Sequence, residues 1–135
     1  DALPISFEND GSFSRCPKLN IDTRLQNADL SLVDDIAAET EKNCKSARRE
    51  YSFASKYCSF HRPEVYPIFD SRNEEILNIY KNEININPLN LRESYEDYVR
   101  IINKYKEIFG LDAFSYKEID RFNWIFCNLK NEETN

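Results

Sequence analysis

The stretch YSFASKYCSFHRPEVYPIFDSRN, residues 51–73, reads as a helix, a corner and the start of a second helix. Its first half places apolar residues three and four apart, the helical period. Pro63 disfavours α geometry in the residue before it, so that helix ends by Arg62. Residues 63–70, PEVYPIFD, form a connection. Ser71 with Glu74 makes a capping box, which predicts a third helix over about Arg72–Asn82 with Ile76, Leu77 and Tyr80 inward.

The same logic extends outward. Leu32, Val33, Ile36, Ala37 and Cys44 give the inner face of a first helix from about Leu30 to Arg49, continuous with or kinked against the second, Tyr51–Phe60. Asn90 with Glu93 resembles a cap for a fourth helix ending at Phe109, with Tyr95, Tyr98, Val99, Ile102, Tyr105 and Phe109 as its stripe. Gly110 suits the position after it. Ser115 with Glu118 is a capping box for a fifth helix carrying Ile119, Phe122, Phe126 and Leu129. Pro4, Gly11 and Pro17 break up the N-terminus. The expected fold is all-α: a compact single-domain orthogonal bundle of about five helices over residues 29–131, after an irregular segment 1–28 and before a tail 132–135.

Composition agrees. The chain has 135 residues, enough for one hydrophobic core, and that core is aromatic, with nine Phe, eight Tyr and one Trp against two Gly. No apolar run is long enough to span a membrane. The chain begins at Asp1 without a signal-peptide pattern, as a trimmed or mature fragment would. Cys16, Cys44, Cys58 and Cys127 fit no zinc spacing, and with one histidine no His-rich metal site is expected. A chain with this much core does not need disulfides, so free thiols in a reducing, cytoplasmic compartment are expected. Neither cofactor nor metal is called for: there is no Gly-rich phosphate loop and no nucleophile elbow.

The net charge of −6 argues against a protein that binds nucleic acid with its whole surface. Charge is uneven, however. Residues 42–62 carry Lys42, Lys45, Arg48, Arg49, Lys56 and Arg62 against Glu50 alone. Such a cluster can dock an anion, although a solvated helix face has the same composition.

On a helical wheel, Phe53, Tyr57 and Phe60 share one side of the 51–62 helix, and Ser52, Ser55, Lys56 and Ser59 the next. Small residues admit a close backbone, either a packed segment or a phosphate chain. A half-sheltered Lys56 is a candidate nucleophilic amine; a snorkelling lysine would look the same. His61 ends the helix, where it could meet a phosphate or a carboxylate such as Glu64 or Asp70, or simply bond a carbonyl. Asp70 precedes a helix and is therefore a candidate cap. If Ser71 takes that job, Asp70 is left as a base or as a stabiliser of a cationic transition state. Arg72 could pair with Asp70 or with an external phosphate. Asp120 and Trp124, one turn apart, read as a structural pair, since a buried indole N–H needs a partner.

The run SFASKYCSFHRPEVYPIFDS resembles a segment of small uncharacterised bacterial proteins, whose tails carry a pattern similar to SYKEIDRFNW; the likeness covers about residues 50–126. That segment distantly resembles the helix-hairpin-helix DNA glycosylases. The resemblance implies Lys56 as their catalytic lysine and Asp70 as their catalytic carboxylate, with Pro67-Ile68-Phe69-Asp70 as the turn. The phosphate-gripping glycine hairpin is absent, Tyr51-Ser52-Phe53-Ala54-Ser55 standing in its place.

Two functions follow. The first is a small intracellular nucleic-acid-associated protein, with Lys45, Arg48, Arg49, His61, Arg62 and Arg72 on phosphate and with Lys56 and Asp70 as candidate catalytic groups. Whether it is an enzyme stays open. The alternative is a non-enzymatic helical module that docks a protein partner. Neither involves a membrane.

Overall fold

The computed structural model describes residues 19–43, 50–85, 91 and 94–134. Among these the chain is all helical and compact. Seven helices follow one another: α1 (Ile21–Gln26), α2 (Ser31–Asn43), α3 (Tyr51–His61), α4 (Ser71–Ile79), α5 (Lys81–Ile84), α6 (Tyr95–Ile108) and α7 (Tyr116–Thr134). α2 packs on α1, α3 and α6, while α4 packs on α7, and α5 on α6. No helix among the described residues is long and apolar enough to cross a membrane.

The count exceeds five for local reasons. α1 lies in the stretch expected to be irregular; Ile21 and Leu25, one turn apart, bury its inner side. The predicted Arg72–Asn82 helix ends at Ile79, and a separate turn, α5, follows it, closed by Asn85 in the left-handed region (φ 59°). α7 continues through the expected tail to Thr134.

Several inward faces are as expected. Leu32, Val33, Ile36 and Ala37 on α2 are fully buried, as are Tyr95 and Tyr98 on α6. On α3 the buried residues are Tyr51, Ala54, Ser55 and Cys58. Of the aromatic side read from the wheel, Phe60 is 62% exposed, while Phe53 and Tyr57 are half-buried and pack against the core. After Tyr51, the small side chains Ala54, Ser55 and Cys58 take the inner face, where the corner after α3 folds back and its Phe69 N–H bonds Ser55. α7 shows a similar departure: Asn123 and Cys127 are buried while Phe122 and Leu129 are exposed.

One carboxylate ties three helices together. Asp34 on α2 accepts the Tyr51 hydroxyl at 2.6 Å and the first backbone N–H of α6, that of Tyr95, at 3.1 Å. Cys58 and Cys127 are free thiols, both buried. Burial pushes the Cys58 thiol up to about 12, so it stays protonated and inert at neutral pH. Cys16 and Cys44 lie outside the described residues.

Candidate functional site

The site is built on the corner between α3 and α4. Its backbone is held by side chains rather than by a ladder. Ser55 Oγ accepts the Phe69 N–H at 2.8 Å, so the backbone admitted by this small residue is the chain's own. Tyr98 and the Asn73 amide both donate to the Ile68 carbonyl, at 2.7 and 3.0 Å, and the Tyr95 hydroxyl donates to the Pro67 carbonyl. Buried groups satisfied in this way leave the corner little freedom, because breaking any bond strands a desolvated partner.

Asp70 stands at the end of this corner in extended conformation and caps α4: its Oδ1 accepts the Asn73 N–H at 2.9 Å. Of the two residues weighed as the cap, Asp70 fills the role, and the Ser71–Glu74 capping box is corrected. Ser71 is the first helical residue, and the carboxylate one position earlier meets both the orphan N–H and the positive end of the helix dipole.

Asn73, 3% exposed, links the corner to α7. Its Nδ2 donates to Asp120 Oδ1 at 2.9 Å, and its Oδ1 accepts from the Asn123 amide at 2.8 Å. Burial raises the Asp120 pKa above the usual aspartate value, and the negative charge of Asp70 adds to the rise; the Asn73 amide and Lys56 work against it.

These contacts set α7 beside the corner and leave between them a cleft of about 450 Å³. Its cations come from three helices: Lys56 from α3, Arg72 from α4, and Lys117 and Arg121 from α7. Asp70 and Asp120 are the carboxylates in its lining. Phe60, Tyr116 and Trp124 supply aromatic walls. Trp124 is 48% exposed, and the Arg72 guanidinium lies 5.6 Å from its ring centroid. Among the described residues, four cations against two carboxylates make an anion-attracting opening in a chain whose net charge is −6.

Lys56, Asp70 and Arg72, expected as site residues, thus meet in one cleft. Arg62 is employed elsewhere: its guanidinium donates to the Leu25 and Gln26 carbonyls, both at 3.0 Å, and pairs with Glu64 at 2.8 Å, fastening the end of α3 to α1. His61 lies against Tyr57 and Phe60, with ring centroids 4.9 and 5.4 Å away. Lys45, Arg48 and Arg49 lie outside the described residues.

Lys117, Arg121 and Trp124 were missed by sequence reasoning. Their spacing of four and three residues places them on one helix face, which was the available signal. The expected Asp120–Trp124 pair is corrected as well: Asp120 bonds Asn73, while Trp124 turns to the cleft.

Comparison with known proteins gives a match to a family and to a curated relative. Residues 15–65 match the family HI_0787_N, described as an N-terminal domain. The chain is also 33% identical over 107 residues to an "Uncharacterized protein" of Haemophilus influenzae (strain ATCC 51907 / DSM 11121 / KW20 / Rd), an alignment covering 78% of this chain and 50% of the relative. The chain therefore spans about half the length of that relative. No solved structure matches it.

Proposed function

We propose that this protein associates with nucleic acid, and that the cleft between the α3–α4 corner and α7 receives the phosphate backbone. The observation that carries the reading is the convergence of Lys56, Arg72, Lys117 and Arg121, drawn from three helices, on one opening beside exposed aromatic rings. A solvated basic helix face would not gather cations from separate elements around a concave surface. The proposed footprint differs from the sequence expectation: its centre lies on the cleft rather than along residues 42–62.

Lys56, Asp70 and Asp120 share this cleft, so a bound strand would lie against an amine and two carboxylates. Any chemistry would draw on these groups. Asp70 has committed one oxygen to the α4 cap and Asp120 one to the Asn73 amide, so both carboxylates are to be tested.

The test is a binding titration with short single- and double-stranded DNA and RNA at about 50 and 200 mM salt. Two to four phosphate contacts correspond to a log–log salt slope of roughly −2 to −3.5 on duplex and about −1.5 to −3 on single strands. Charge-neutralising substitutions at Lys56, Arg72 and Arg121 should weaken binding and flatten that slope. Absence of binding at the lower salt overturns the proposal.

A second reading, a protein-docking module, draws on a different face. Phe122, Ile125 and Leu129 form an exposed apolar stripe along α7. It would give partner binding that is insensitive to salt and is lost in Phe122→Glu.

A further inference from the structure

Resting on the nucleic-acid reading, we infer that the cleft takes an unpaired nucleotide, its phosphate held by the cations and its base stacked on Trp124. Three observations point this way.

The first is the mixed charge of the lining. Asp70 caps α4 and Asp120 bonds Asn73, yet both also line the cleft, where their charge repels a bare phosphate. A nucleotide carries an anion at one end and N–H donors on its base at the other, so it can satisfy both signs within one cleft. The second is the aromatic exposure. Trp124 is nearly half open and Phe60 more so, and both line the opening that also holds Arg72, Lys117 and Arg121. Cations beside exposed rings are the combination that binds single strands, in which every base offers a π-face. The third is the rigidity of the floor. The Ile68 carbonyl and the Phe69 N–H are pinned by Tyr98, Asn73 and Ser55, so the wall opposite α7 is set before any ligand arrives. A duplex keeps its bases stacked on one another and offers the cleft only its backbone.

Trp124 is the single tryptophan of the chain, so its fluorescence reports on the cleft alone. The experiment titrates the full chain with a single-stranded deoxyoligonucleotide of about ten residues, the matching duplex and inorganic phosphate, reading tryptophan emission and, separately, the anisotropy of labelled DNA. The inference expects quenching by the single strand, none by phosphate and little by the duplex. It also expects Trp124→Ala to weaken single-strand binding about tenfold or more, with Trp124→Phe recovering part of the loss. Far-UV circular dichroism checks that both variants remain folded, and the wild-type quenching stands independently of them. Salt-dependent binding without quenching overturns the stacking inference and leaves the phosphate reading intact. Equal quenching by duplex and single strand overturns the preference for an unpaired base. Absence of DNA binding overturns both.

Discussion

Replacing Asn73 with alanine tests the arrangement that places α7 beside the corner. The substitution removes three side-chain hydrogen bonds, to the Ile68 carbonyl, to Asp120 and from Asn123. The Ile68 carbonyl keeps the Tyr98 hydroxyl, so its share of the loss is small. The bond to Asp120 has a partner able to carry charge and contributes about 1.5–3 kcal/mol. Asn123 is 1% exposed, and its Oδ1 has no hydrogen-bond partner among the described residues, so losing Asn73 strands its amide at a cost of about 1–3 kcal/mol. Water entering the vacated space returns part of this, and a net loss of roughly 3 kcal/mol is expected. The cap is untouched, because Asp70 receives the backbone N–H of residue 73 rather than its side chain. Asp70→Ala should therefore cost less, about 1 kcal/mol. Urea unfolding followed by circular dichroism measures both, provided the slopes agree. A double-mutant cycle with Asn123→Ala should return a coupling of about 0.5–3 kcal/mol. A loss below about 1 kcal/mol for Asn73→Ala, or additivity with Asn123→Ala, refutes the claim that this amide network holds the corner to α7.

Other outcomes follow from single contacts. Ser55→Ala leaves the Phe69 N–H buried without its acceptor and should lower stability by about 1–3 kcal/mol, seen as a shifted urea midpoint. Gly110→Ala should cost about 1–2 kcal/mol from backbone strain alone, since φ is +68° and no atom lies within 4 Å of the added methyl group. Because burial holds Asp120 above its unfolded pKa, the folded chain binds more protons in that window, and this group's contribution to stability falls as pH rises through it. Asp120→Asn should therefore gain on the wild type as pH rises above the ordinary aspartate range, measured by paired unfolding curves. Asp29 has the opposite sign: bonded by Ser31 and Arg24, its pKa is lowered, so its contribution is present at neutral pH and lost on acidification. Asp29→Asn should flatten the acid limb of the stability profile.

The sequence by itself determined the helical class and much of its punctuation. Proline geometry is local, and the first helix of the 51–73 stretch does stop short of Pro63, at His61. The Ser115–Glu118 capping box is local too, and its two reciprocal bonds form at 3.0 and 3.2 Å. Buried faces made of aliphatic residues at helical spacing, as on α2, are legible because no other arrangement hides them. That Lys56, Asp70 and Arg72 lie near one another was legible because they flank one corner in the chain.

Tertiary structure decided what depends on partners far along the chain. Ser55 and Ala54 are buried on α3, with Phe53 and Tyr57 only half-buried beside them, because residue 69 folds back onto Ser55. Asn123 is buried because Asn73, fifty residues earlier, satisfies its amide. That pairing sets the rotation of α7, and the rotation carries Lys117, Arg121 and Trp124 to the cleft. Hydrophobic periodicity assigns a polar Asn to the surface and a Trp to the core. In the structure both assignments are reversed: Asn123 is buried on the Asn73 side chain, and Trp124 is half-exposed at the cleft.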